Sequence, residues 1–246
     1  ERGNRSNVKY RDLSSHAIDA LVATEDERFY SHSGVDAKAL ARAVVYLGSK
    51  GGGSTITQQL AKMQYNEPAR NLVERIGQKL GEWIIAVQLE RLYTKDEIIA
   101  LYLNQLDFLY QAVGINSAAR VYFNKKPIDL TIEEAAVFVA MAKNPSLYNP
   151  KRYPERTKQR RDQVFVQMVK NGMLTVAEKD SLQQIPLQLE FRPQSHTAGL
   201  APYFREYLRG YMKGWIKDYE KRTGRELDLY SGGLKIYTTI NAEMQQ

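Results

Sequence analysis

At 246 residues with 43% hydrophobic side chains, the chain is long enough to bury one substantial core and too apolar to be disordered. A formal charge of +7 points to an anionic partner, and nucleic acid, phospholipid and pyrophosphate all satisfy it. The absence of cysteine excludes a disulfide scaffold and a thiolate metal site, and the longest apolar run, 135–142, falls far short of the roughly 18 residues that a spanning helix needs.

Helical periodicity dominates the first three quarters. A helix is expected over about 14–25, where Ile18, Leu21 and Val22 share a face and Glu25 and Asp26 close the segment. A second is expected over 37–47. Gly51 to Gly53 then supply a permissive turn, Ser54 reads as an N-cap, and a helix follows over 55–66 with Ile56, Leu60 and Met63 as its apolar stripe. The longest periodic segment is 70–92. There Leu72, Ile76, Leu80, Trp83, Ile84 and Val87 recur at helical spacing and leave Arg75, Lys79, Glu82 and Ala86 on another face.

Threonine followed three residues later by glutamate marks helix starts at Thr94/Glu97, Thr131/Glu134 and Thr175/Glu178. Helices are expected over 95–105, 132–142 and 155–170, and the two prolines of 144–150 break the chain between the last two. Near Ile185 and Pro186 the texture changes. Residues 188–191 and 234–240 read as strands, with an aromatic, basic helix over 202–223 between them. The expected organisation is a mainly α domain over 1–185 and a small α+β segment over 186–246.

Three polar constellations carry chemistry. Glu25 and Asp26 sit at a helix C-terminus, where negative charge costs roughly 0.3–1 kcal/mol. Two solvated acids are the plain reading; a general base beside a second carboxylate is the other. On the helix after the glycines, Thr55, Gln59 and Lys62 share a polar side, with Gln58 beside Lys62. An amphipathic surface helix explains the stripe but not the consecutive glutamines. Such amides and hydroxyls can hold a sugar and its phosphates, and a helix N-terminus after glycines is a natural anion site. No Walker lysine follows. Lys79 and Glu82 are neighbours one turn apart, with Arg75 a turn earlier. An ordinary helix ion pair of about 0.2–0.5 kcal/mol is the plain reading there.

Taken in order, residues 23–36, 51–62 and 78–90 resemble the glycosyltransferase domain of class A penicillin-binding proteins, the family 51 peptidoglycan glycosyltransferases, and the resemblance runs from about Val8 to the C-terminus. Glu25, Asp26, Phe29, His32 and Gly34 match the family's GluAsp-x-x-Phe-x-x-His-x-Gly motif. The resemblance makes Glu25 the base that deprotonates the acceptor sugar hydroxyl, and His32 a support for the loop. The second motif matches almost throughout, with Met63 where asparagine is usual. It implies substrate contacts from Ser54, Thr55, Gln58, Gln59 and Lys62, together with Asp26. The third departs from ArgLys-x-x-Glu in having Gln78 at the arginine position. It makes Glu82 the second essential carboxylate and Lys79 a ligand of the donor pyrophosphate; Arg75, outside the motif and one turn away, is the candidate to supply the missing charge. Residues 95–105 and 118–123 continue the match, with Asn124 where glycine is common. Residues 160–168 resemble the fifth motif, in which Arg160 or Arg161 holds structure or faces phosphate. Residues 232–240 resemble the strand that leads to a transpeptidase domain.

The fold so implied is mainly α and lysozyme-like, with a lobe that dips into the membrane and a small α+β C-terminal linker. The implied reaction is polymerisation of lipid II into β-1,4 glycan, with inversion and release of polyprenyl pyrophosphate. Glu82 either coordinates a divalent cation, Mg2+ or Mn2+, or stabilises a developing oxocarbenium. The partners implied are lipid II, the growing glycan, the bacterial membrane surface and cell-wall synthesis proteins. No nucleic acid is expected, since zinc spacing and RNA-recognition aromatics are missing from the sequence. The implied location is the periplasmic face of the cytoplasmic membrane, with an N-terminal transmembrane anchor outside this chain, which is expected to be an excerpt of a longer protein. Two readings compete. A lysozyme-like hydrolase would use an acidic general acid without the lysine-bearing motifs, and Gln78 and Met63 leave room for a non-catalytic scaffold of the same family.

Overall fold

Residues 7–45, 53–63, 71–193, 202–224, 227, 229, 234 and 236–238 are described by a computed structural model. Among them the regular elements are helices: α1 (Ser15–Glu25), α2 (Ala37–Val45), α3 (Ile56–Lys62), α4 (Leu72–Leu92), α5 (Lys95–Gln105), α6 (Ile115–Phe123), α7 (Ile132–Lys143), α8 (Pro154–Lys170), α9 (Val176–Gln184) and α10 (Pro202–Thr223). The chain divides into two compact units that part between Arg192 and Pro193.

The first unit is built round α7, whose residues from Ala135 to Met141 are all buried, the pattern of a helix enclosed on every side. It packs against α1 and α8, while α3 packs against α4 and α5. The three threonine–glutamate pairs start α5, α7 and α9, and in each the threonine N–H donates to the glutamate carboxylate, at 2.7–3.0 Å. At Asn124 the C-cap of α6 takes up φ 52°, ψ 36°, a left-handed position that suits glycine or asparagine and little else. The sequence expectations contain no counterpart to α6, because its N-cap is Gly114, which has no capping side chain to read.

Two strand expectations need correction. The strand expected at 188–191 is not formed. Alternate side chains Leu187, Leu189 and Phe191 do pack against the core, so the period-two pattern is real, but it lines a single extended arm with no ladder partner among the described residues. Residues 186–192 belong to the first compact unit, which runs to Arg192. In 234–240, Leu234 and residues 236–238 form no strand and the rest lie outside the described residues. On the apolar stripe of α4, Ile76, Leu80 and Ile84 are 54%, 52% and 60% exposed, with Val73 at 79% beside them. Gly51, Gly52 and the ends of the helices expected at 37–47 and 55–66 lie outside the described residues.

In the second unit, α10 buries Ile216 and exposes Tyr207, Tyr211 and Trp215, the last stacked on Tyr219 at 5.4 Å between ring centroids.

Candidate active site

Glu25 is the last residue of α1, and Asp26 is its C-cap. Asp26 is buried, and its carboxylate accepts the N–H of Ile56 at 3.0 Å and meets His32 Nε2 at 3.0 and 3.1 Å. Ile56 opens α3, so a charge that is unfavourable at the end of α1 satisfies an orphan donor at the start of another helix. His32 Nδ1 accepts the Gly34 N–H at 3.2 Å. The ring proton therefore sits on Nε2, which donates to Asp26.

Gly34 explains its own place in the motif. Its φ is +92°, and a Cβ there would lie 2.7 Å from the Ala86 carbonyl oxygen of α4. Only glycine lets the loop rest on that backbone. Thr55 Oγ1 donates to the Gly34 carbonyl at 2.6 Å and accepts the Gln58 N–H at 3.1 Å, while Gln58 Oε1 accepts the Thr55 N–H at 3.0 Å. This reciprocal cap makes Thr55, not Ser54, the N-cap of α3. Ser54 stands one residue too early for the helix and instead lines the cavities described next.

Glu25 Oε2 accepts from Gln59 Nε2 at 2.8 Å, and Gln59 Oε1 accepts from the Tyr102 hydroxyl at 2.9 Å. Two cavities meet here. One, of about 510 Å³, includes Thr24, Arg42, Arg160 and Lys170 in its walls. The other, of about 430 Å³, includes Gln58, Lys62, Met63, Lys79 and Glu82. Glu25, Ser54, Gln59 and Lys143 line both. A carboxylate thus stands at the junction of two cavities, each with its own cations.

The first cavity also contains unmet hydrogen-bonding capacity. Thr24 Oγ1, Arg42 Nε and Arg160 Nε are buried without a partner, a state that normally costs about 1–3 kcal/mol per group. Lys170 and Arg42 bond to Glu27 at 2.8 and 2.9 Å and hold its carboxyl below the usual range. In the second cavity the buried Glu82 pairs with the half-exposed Lys79. Met63 packs against the core as well as lining the wall. Arg75 is exposed and lies outside the walls of both cavities.

Behind the site, Lys95 Nζ donates to the His32 carbonyl at 2.7 Å and to Glu90 at 2.8 Å, and lies 4.3 Å from the Phe29 ring centroid. Glu90 also accepts from the buried Thr57 hydroxyl at 2.7 Å. The loop, α3, α4 and α5 are thereby tied together by one ion pair. Of the two candidate arginines, Arg161 is wholly buried and bonds to Asp162 and to the Ile185 carbonyl, so it holds α8 to the end of α9; Arg160 faces the first cavity. Sequence reasoning missed Arg42, Lys143 and Lys170, which sit on helices with no motif to announce them, and Thr24, which precedes Glu25 within the first motif segment. It also missed Tyr102, Glu90 and Lys95, whose polar ends are engaged inside the fold.

The donor set does not fit a protein-held Mg2+ or Mn2+. Among the described residues no three acids or imidazoles converge, and the Glu82 carboxylate is already paired with an ammonium, whereas such ions require several oxygen ligands.

Comparison with known proteins gives a consistent picture. A family model described as transglycosylase matches residues 1–169. The chain is 37% identical over 247 residues to penicillin-binding protein 1F of Bacillus subtilis, covering 99% of this chain and 33% of that protein. It is 36% identical over 243 residues to penicillin-binding protein 1A of Escherichia coli, covering 97% of this chain and 27% of that protein. A crystal structure of penicillin-binding protein 1A from Haemophilus influenzae aligns with a TM-score of 0.49 and 23% identity, over 92% of this chain and 22% of that one. The chain spans about a third of the length of these curated relatives or less.

Proposed function

Because this chain belongs to the transglycosylase family of class A penicillin-binding proteins, we propose that its cleft is a peptidoglycan glycosyltransferase site that polymerises lipid II, with Glu25 as the base. The observation that carries this reading is the position of Glu25, shared by two cation-lined cavities. A transferase needs two substrates side by side, and each here bears a pyrophosphate. The cavity with Lys62, Lys79 and Glu82 suits the growing chain as donor. The cavity with Arg42, Arg160, Lys143 and Lys170 suits the incoming lipid II as acceptor.

The chemistry follows from these roles. A sugar hydroxyl is a poor nucleophile, and a positioned base is worth roughly 10²–10⁴-fold. Glu25 takes the proton as the hydroxyl oxygen attacks the donor's anomeric carbon from the face opposite the pyrophosphate. The glycosidic bond forms, the carbon–oxygen bond to pyrophosphate breaks, and the configuration inverts. Polyprenyl pyrophosphate leaves as an anion, so Lys62 and Lys79 stabilise it where a glycosidase would use a second acid. Glu82 is assigned to holding Lys79 in place, not to binding a metal. The exposed Val73, Ile76, Leu80 and Ile84 on α4 form an apolar face suited to a lipid surface, in keeping with a lipid-borne substrate on the periplasmic side of the membrane.

Lipid II in detergent, incubated with the wild type and with Glu25→Gln and resolved by glycan size, tests the reading. Long glycan from the wild type and less than about a hundredth of that rate from the variant are expected. Shortened glycan from a preformed strand would indicate a hydrolase, and a variant retaining more than about a tenth of the rate would remove Glu25 from the role of base.

A further inference from the structure

We infer that Tyr102 is a positioning residue for the base, fixing through Gln59 which oxygen of Glu25 is left to receive the proton; the inference rests on the reading of Glu25 given above.

Three elements contribute one atom group each: the carboxylate from the end of α1, the amide from α3 and the phenol from α5. The chain of contacts has a direction. A carboxylate can only accept, so Gln59 must present its NH₂ to Glu25 Oε2, at 2.8 Å. Its carbonyl oxygen then points the other way and needs a donor. Tyr102 supplies it at 2.9 Å from a fully buried position. Burial, reinforced by the nearby Glu25 charge, pushes the ionisation of this phenol well up, so the group remains an O–H and remains a donor. Hydrogen bonds in series polarise one another, and the arrangement also stops the amide from turning over. With Oε2 held by the amide, Oε1 is the oxygen left for the acceptor hydroxyl.

A phenylalanine at 102 keeps the ring and removes only the donor. Gln59 Oε1 then has no hydroxyl beside it, and the amide is free to rotate away from Glu25. The Tyr102→Phe protein should keep its KM within about twofold and lose about 5- to 10-fold in kcat, the size of one ordinary hydrogen bond. A side chain that merely filled the core would change the melting temperature without this split. In a Gln59→Leu background the same substitution should cost nothing further, because the path to Glu25 is already cut. Unchanged kcat, or the same loss in both backgrounds, overturns the inference.

Should Tyr102→Phe fail to fold, 3-fluorotyrosine at position 102 keeps both shape and hydroxyl. Its fluorine resonance should move when Glu25→Gln is added, and should not move when Gln59→Leu is already present. A resonance indifferent to Glu25→Gln in the Gln59 protein overturns the inference. The fluorine measurement needs no turnover. A wild type that makes no glycan would therefore count against the polymerase reading alone, whereas a wild type that makes glycan and a silent fluorine would count against Tyr102 alone.

Discussion

Asp26→Ala is expected to destabilise the first unit by more than a residue beside an active site usually does. Asp26 is only 7% exposed, and its carboxylate serves both the Ile56 N–H and His32 Nε2. Alanine leaves both donors buried and unpaired, at about 1–3 kcal/mol each. It also removes a charge from the N-terminus of α3, worth about 0.3–1 kcal/mol. Relief of the unfavourable charge at the end of α1 offsets this last contribution, so the sum is roughly 2–6 kcal/mol. For a unit of this size, each kcal/mol shifts Tm by about 2–4 °C, so a middle value of about 4 kcal/mol lowers Tm by about 8–16 °C. Asp26→Asn keeps one carbonyl oxygen as an acceptor and should lose less than half as much. Calorimetry and urea melts of the three proteins supply the comparison. A loss below about 1 kcal/mol for the alanine variant would mean that Asp26 does not hold α3, and that the pairing of His32 with Ile56 through it has no energetic weight.

Gly34→Ala should cost about 2–5 kcal/mol, from a positive φ and a Cβ that meets the Ala86 carbonyl; a melt within 1 °C of wild type would contradict that close approach. Acid should weaken the fold through Glu27, held down by Lys170 and then Arg42, and through Glu97 and Glu178, held down by the backbone N–H groups of Thr94 and Thr175. Since their folded values lie below the ordinary 4.5, their contribution is complete above that pH and is lost as pH falls through the folded values; a Tm that rises between about pH 5 and pH 3 would reverse the sign. Replacing Ile76 and Leu80 with serine should weaken sedimentation with anionic liposomes while leaving stability within about 0.5 kcal/mol, because both side chains already face water. Unchanged sedimentation would move the lipid contact away from α4.

The features decided by neighbours in the chain were legible in the sequence. Three capping pairs, Thr94/Glu97, Thr131/Glu134 and Thr175/Glu178, start helices where a local hydrogen bond between residues three apart dictates it. Most helices follow from a 3.6-residue period, and the ordered motifs name the family, because these patterns span a few turns at most. Burial and partnership are not local. The period of α4 is correct, yet its stripe faces water, since periodicity says that a face exists and nothing about what covers it. Gln58 and Asp26 each line one of the two cavities, but only the fold shows that the oxygen of one also caps α3 and the carboxylate of the other also holds His32 and Ile56. Arg42, far in the chain from Arg160 and Lys170, joins them in one basic wall only when α2 and α8 meet at a common cavity. A side chain's chemistry is set by desolvation and by the charges within a few ångströms of it, and that surrounding is assembled from segments whose distance along the chain carries no record of their meeting.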